Sequence, residues 1–179
     1  MFNLKITYWL IRIFLISLPI LAFVFLINKN FAFSGKTEAI YNFDKNNPII
    51  SILKPSGRAL AIKKDENNDY FQQIIIDPVY FDLCLPTKFQ KVKLFFIYQK
   101  PENQILKIGP QIFDDNWNYY LKELKSEKKI NDWQTAELNF DLSKVFVKNR
   151  KVKFMISAPD LDKSGNEIKI TSIKAILIK

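Results

Sequence analysis

Residues 133–142, WQTAELNFDL, decide the fold: Ala136, Leu138, Phe140 and Leu142 alternate with Thr135, Glu137, Asn139 and Asp141. A strict period of two, one set apolar and the other polar, belongs to a strand with one face in a core and the other in water. Working outward, Val152, Phe154, Ile156 and Ala158 repeat the pattern, and Val79, Phe81, Leu83 and Leu85 carry it until Pro86 ends the run. The run 91–99, KVKLFFIYQ, has Val92, Leu94, Phe96 and Tyr98 on one face and Phe95 and Ile97 on the other. Apolar residues on both faces predict a central strand covered on both sides. In 168–178 the apolar face changes parity between Ile170 and Ile173, which predicts a β-bulge.

Shorter apolar runs at 39–43, 49–53, 59–62 and 71–76 read as further strands, separated by the turn Pro55-Ser56-Gly57 and the polar loop 65–69. Pro78 marks an edge or bend. The turn Lys100-Pro101-Glu102-Asn103 predicts a hairpin joining 91–99 to 104–108, closed by Gly109-Pro110, and 121–129 has the pattern of a short helical turn. About ten short strands with turns every 8 to 12 residues or so, and no βα alternation, predict an all-β domain, an antiparallel β-sandwich or jelly roll.

The N-terminal run 8–27, YWLIRIFLISLPILAFVFLI, follows a different period and carries one charge, Arg12. Twenty helical residues reach about 30 Å, the hydrocarbon thickness of a bilayer, so this run is expected to be a single transmembrane helix. Tyr8 and Trp9 fit an interfacial aromatic belt at its entry, Arg12 lies where its stem can snorkel to the headgroups, Pro19 is expected to kink it midway, and Ile27 closes it. Lys5 and Arg12 favour a cytoplasmic N-terminus. The expected organisation is a short tail 1–7, the membrane helix 8–27, a tether 28–36 and an extracytoplasmic sandwich 37–179. Cleavage before Gly35, after the small residues of Ala32-Phe33-Ser34, is the competing reading and would make the domain a secreted one.

Of 179 residues, 27 are Lys or Arg and 18 are Asp or Glu, a basic balance that favours anionic surroundings such as lipid headgroups and acidic wall polymers. The expected placement outside the cytoplasm excludes nucleic acid from the expected partners. There is no His, which removes the commonest general base and transition-metal ligand and argues against an enzyme. The Lys, Ile and Asn bias is that of an AT-rich, bacterial source. The single cysteine, Cys84, can form no intramolecular disulfide and reads as a small buried hydrophobe.

Two stretches combine side chains with binding chemistry. Asp114, Asp115, Asn116, Trp117, Tyr119 and Tyr120 bring flat aromatic faces together with carboxylates and an amide in one loop, the combination that sugar recognition requires; the competing reading is that Trp117 and a tyrosine plug an end of the sandwich. Asp160, Asp162 and Ser164 offer alternate oxygen ligands ahead of Gly165 and are the candidates for a structural calcium ion. Glu167 and Thr171 break the EF-hand pattern, and a solvated turn is the competing reading. No other cofactor is expected.

The late sequence Trp133…AELNFDLS…KVKFMISAPDL…IKITSIKAILI, with the strand DPVYFDLCLP, resembles the closing strands of galactose-binding-like jelly rolls, the fold of many carbohydrate-binding modules. The chain also resembles bitopic envelope proteins of small-genome bacteria, one membrane helix followed by a β-sandwich. Neither likeness assigns a ligand or a binding residue; the sandwich pattern, the aromatic loop and the absence of His lead to the expectation of a non-catalytic binding module, envelope- or glycan-associated, with an accessory subunit of a membrane transport or envelope-assembly complex as the alternative.

Overall fold

The computed structural model describes residues 4–30, 35–113, 118–130 and 132–179. The chain divides into two compact units, Met1–Phe33 and Ser34–Lys179.

The first unit is one helix, α1 (Leu4–Asn30), which continues through Pro19. Its described side chains are exposed on every side, among them Tyr8, Trp9, Phe14, Leu21 and Phe25. Among the described residues no helix is long and apolar enough to cross a membrane, the described side chains running unbroken only over 11–26.

The second unit is an antiparallel sandwich of eleven described strands: β1 (Lys36–Tyr41), β2 (Lys63–Lys64), β3 (Tyr70–Ile74), β4 (Val79–Cys84), β5 (Lys91–Gln99), β6 (Lys107–Pro110), β7 (Lys122–Glu123), β8 (Lys128–Ile130), β9 (Trp133–Asp141), β10 (Lys151–Ser157) and β11 (Ile168–Ile178). The larger sheet has the order β2-β3-β11-β5-β9-β8, and the smaller one β4-β10-β6-β7. On the side of β11 away from β5, β3 pairs with residues 168–170 and β1 with 173–178, so two strands share one edge end to end. The register of β11 on β5 shifts between Ile170 and Ser172, the bulge its parity change predicts. The buried apolar side chains of the sandwich begin at Ala39 and end at Leu177, so 34–179 closes a core by itself.

Alternation builds that core. Val79, Phe81 and Leu83 of β4, Ala136, Leu138 and Phe140 of β9, and Val152, Phe154 and Ile156 of β10 are all buried. Phe81 stacks on Phe154 with centroids 5.2 Å apart, and their edges meet Phe96 of β5 and Phe140 of β9 at 6.2 and 5.5 Å. These four rings fasten one sheet to the other. Gln72 of β3 is buried without cost to its amide: it accepts from the Leu53 N–H and donates to the carbonyls of Leu53 and Leu60.

Four expectations are corrected. The segment 104–108 forms no hairpin with β5, because β9 and β11 already occupy both edges of that strand. The chain crosses to the other sheet, where Gln104 donates to the Pro159 carbonyl and β6 pairs with β10. Gly109 and Pro110 therefore lie inside a strand; a Cβ on Gly109 would stand 1.9 Å from the Tyr120 carbonyl oxygen, which only glycine tolerates. In place of a helical turn, 121–129 contributes β7 and the start of β8; Leu124 is the buried side chain there, and one residue is no apolar stripe. Cys84 is half-buried, on the outer face of its strand. Finally, β5 is covered on one side only: Phe95 is half-buried and Ile97 is 37% exposed.

Candidate functional site

The uncovered face of β5 is the floor of a broad open groove on the sandwich. Outward-facing positions continue across the strands in a row, Ser172 of β11 opposite Ile97 of β5 and Ile97 opposite Thr135 of β9. One step along the same parity of β9 stands Trp133, half-buried and paired with Ile130 of β8. Trp133 separates two open troughs. One, of about 620 Å³, is bordered by Asn42, Asp44, Asn68, Asp69 and Tyr70 above the floor of Ile97, Thr135 and Ser172. The other, of about 480 Å³, is bordered by Lys64, Asp65, Glu66, Asp132 and Lys169, with Phe71 and Gln99. Trp133 and Asn67 belong to both.

The site opens where β1 and β3 leave a gap along β11. The bulge residues sit in that gap and tie its two rims: Thr171 Oγ1 donates to the Tyr70 carbonyl at 2.7 Å, and Ser172 Oγ to Asn42 Oδ1 at 2.8 Å. The loop 65–69 is held in shape by Asp65, whose Oδ1 accepts from the N–H groups of Asn67 and Asp69 at 2.9 and 2.8 Å. Asn68 turns the loop with φ 65°, the left-handed region that Asn tolerates better than most residues. The Lys64 ammonium lies 4.7 Å from the Tyr70 ring centroid, so one face of that ring is taken and Trp133 is the larger flat surface in the groove. Around it stand amide and carboxylate groups in a preformed ring, the donors and acceptors that match a polyhydroxyl ligand.

Asp114, Asp115, Asn116 and Trp117 lie outside the described residues. Tyr119 and Tyr120 face opposite ways, as extended chain requires. The Tyr119 ring lies 6.0 Å from that of Tyr80, and its buried hydroxyl has no hydrogen-bond partner among the described residues. Burial, with Tyr80 and Asp82 nearby, pushes its pKa up to about 12. Tyr120 is 55% exposed and borders a smaller trough of about 460 Å³ with Ile112, Val145 and Lys144. Of the calcium candidates, Asp160 accepts an ion pair from Lys163 at 2.7 Å. Ser164 donates its hydroxyl to the Leu161 carbonyl, and these residues form a one-turn helix, α2 (Leu161–Ser164). Among the described residues no three His, Cys, Asp or Glu side chains converge as metal ligands. On α1, Tyr8, Trp9 and Arg12 are exposed and Pro19 is internal, while the side chain of Ile27 lies outside the described residues.

The groove residues are not among those expected from the sequence, although Trp133 carries a signal there. Trp133 has the parity of Thr135, Glu137 and Asn139, the outward set of its own strand, which places it on the surface of the sheet. Asp65, Glu66 and Asp69 stand in a polar loop, where nothing local distinguishes a groove rim from a solvated turn.

No family model matches the chain, and no curated protein does. Among solved structures it is similar to the CBM22-1 xylan-binding domain from Paenibacillus barcinonensis, with TM-score 0.49, 8% identity, and 79% of this chain and 94% of that one covered. It is also similar to the xylan-binding module CBM15, with TM-score 0.47, 17% identity, and 79% and 97% covered. A third is the C-terminal CBM6 of LamC from Zobellia galactanivorans, with TM-score 0.46, 7% identity, and 80% and 99% covered. These neighbours are carbohydrate-binding modules, the class that the late strands resemble; at such distance the likeness transfers no ligand and no residue.

Proposed function

We propose that the chain is a membrane-anchored, non-catalytic glycan-binding protein of the cell envelope, with its sandwich outside the cytoplasm and the Trp133 groove as its binding site. The observation that carries this reading is the groove itself: one large aromatic face set in a sheet, ringed by Asn42, Asp44, Asn67, Asn68 and Asp69. A pyranose offers an apolar C–H face to stack on the indole and hydroxyls at its rim for amides and carboxylates. The anchor reading rests on α1, whose apolar side chains are exposed all round; a helix with no polar face needs hydrocarbon on every side.

The test is titration of residues 34–179 with soluble peptidoglycan fragments and β-glucan and xylan oligosaccharides, read by calorimetry and tryptophan fluorescence. Trp133→Ala should weaken retention of the bound glycan about tenfold or more while the circular dichroism of the sandwich is kept. Unchanged binding by this variant removes the groove as the site. Extraction of the full chain with alkaline carbonate tests the anchor separately, and protease added to intact spheroplasts tests the side on which the sandwich lies. Stoichiometric membrane proteins retained by α1 alone would favour the accessory-subunit reading instead.

A further inference from the structure

A different face of the sandwich bears a second, unrelated surface. Residues 144–151, KVFVKNRK, carry four cations and no acid around a Val-Phe-Val centre. Lys144 ends a 3-10 turn (Leu142–Lys144), and the segment closes in a tight hairpin turn at 148–151 leading into β10, with Lys148 and Lys151 exchanging backbone hydrogen bonds of 3.0 and 2.9 Å. The two residues at its tip, Asn149 and Arg150, have φ 51° and 60°. Such a turn takes Asn readily at its first position and favours glycine at the second. An arginine there is uncommon, and its effect is to place an exposed guanidinium at the tip.

The hairpin is flanked on both sides. Towards one, Val145 and Lys144 share a trough with Ile112, Tyr120, Lys122 and Asp141; towards the other, Phe146 and Lys148 border a trough with Lys151, Lys153 and Asp82, so in each trough the cations outnumber the single carboxylate. The Phe146 N–H donates to the Gln111 carbonyl and the Gln111 amide to that of Phe113, which binds 111–113 to the same surface. Three large side chains of the patch face solvent, Phe113 at 60%, Tyr120 at 55% and Val147 at 43%.

We infer that this patch is a peripheral docking surface for anionic lipid. Cations alone would serve an acidic polymer equally well. Exposed aromatic and aliphatic side chains set between the cations gain only where a hydrocarbon boundary lies beneath the phosphates, and that describes a bilayer. The surface is independent of the glycan groove, and because it lies on the sandwich it can be tested without α1.

The experiment is flotation of residues 34–179, which close their own core, with phosphatidylglycerol vesicles and with phosphatidylcholine vesicles, at low and high salt. Binding to phosphatidylglycerol that falls with salt is expected, with phosphatidylcholine bound weakly. Arg150→Gly should cut partitioning about fivefold, and Lys144→Ser with Arg150→Gly about 25-fold, from the usual effect of one basic residue at such a surface. Arg150→Gly relieves a left-handed side chain, so its melting temperature should not fall, which separates lost docking from lost folding. Phe113→Ser with Val147→Ser should lower partitioning several-fold at unchanged charge. Equal binding to both vesicle types overturns the inference; so does undiminished binding by the Phe113 and Val147 variant, the result expected of a polymer partner that needs the cations alone. Trp133→Ala should leave vesicle binding as it was, so failure here and failure of the glycan site are told apart.

Discussion

The outer faces of the two sheets are built by the same alternation and end with opposite characters. On the larger sheet three lysines are paired with glutamates: Lys93 with Glu137, Lys174 with Glu38 and Lys169 with Glu167, at 3.3, 2.6 and 3.1 Å. What remains there is a groove of amides, carboxylates and one indole. On the smaller sheet the hairpin 144–151 gathers cations without an acid in its own run. The pairs themselves stabilise little, since exposed ion pairs contribute about 0 to 1 kcal/mol. The groove on the larger sheet presents amides, carboxylates and an indole to a polyhydroxyl ligand, and the hairpin presents cations and apolar side chains to an anionic boundary. Outward positions are free of the core's demands, so one fold can carry two chemistries back to back.

The largest expected effect abolishes both faces together. Phe154 is fully buried between Phe81 and Phe140, so Phe154→Ala removes the joint of the two sheets and should cost about 3 to 5 kcal/mol. Chemical denaturation followed by groove ligand and vesicle binding should show the two functions disappearing in one transition; a surviving groove would mean that the larger sheet stands alone.

Gly109→Ala sharpens the comparison, because the clash it creates is with the backbone of Tyr120, at the edge of the smaller sheet. About 1 to 3 kcal/mol is expected. Amide exchange should rise in β6 and β7 while β5, β9 and β11, the floor of the groove, stay protected. Uniform exchange through both sheets would refute this separation.

The smallest effect is placed beneath the groove. Tyr98 is wholly buried on the inner side of β5, its hydroxyl has no hydrogen-bond partner among the described residues, and burial pushes its pKa up to about 12. In the unfolded chain the phenol ionises near its ordinary value of about 10, so the unfolded state releases its proton first. Stability should be flat below pH 10 and fall between about 10 and 12. Tyr98→Phe removes an unpaired polar atom; it should raise stability by up to about 1 kcal/mol at pH 7 and flatten the alkaline fall. Urea midpoints at pH 8, 10 and 11 check both, and an unaltered alkaline slope would locate the titration elsewhere, with Tyr119 the next tyrosine to substitute.

The sandwich was legible wherever one strand's burial pattern sufficed. The inward sets of β4, β9 and β10, the bounds of β5 and β11 and the bulge between Ile170 and Ser172 all follow from side-chain parity. Partner choice was not legible. The turn at 100–103 reads as a hairpin because nothing local announces that both edges of β5 will be filled from later in the chain. The groove was invisible for the same reason: Asn42, Asn67, Trp133 and Ser172 are brought together by pairing across four separate segments, while a contiguous aromatic loop draws attention by proximity in sequence alone. The basic hairpin was equally hidden, its cations being spread among apolar residues.

The bulge in β11 also sets what kinds of genetic change this chain can absorb. In a regular strand two successive side chains never face the same way, yet Thr171 and Ser172 both line the groove and both hold its rims. Beyond them Ile173, Ala175 and Leu177 return to the core in step with Ile168 and Ile170. Loss of one codon here would therefore act as a parity error over half the longest strand, turning Lys174 inward and Ile173, Ala175 and Leu177 outward. Substitutions at Thr171 and Ser172 can drift and retune the rim, whereas their number is locked to the packing of everything downstream, so the groove is inherited as part of the core's counting.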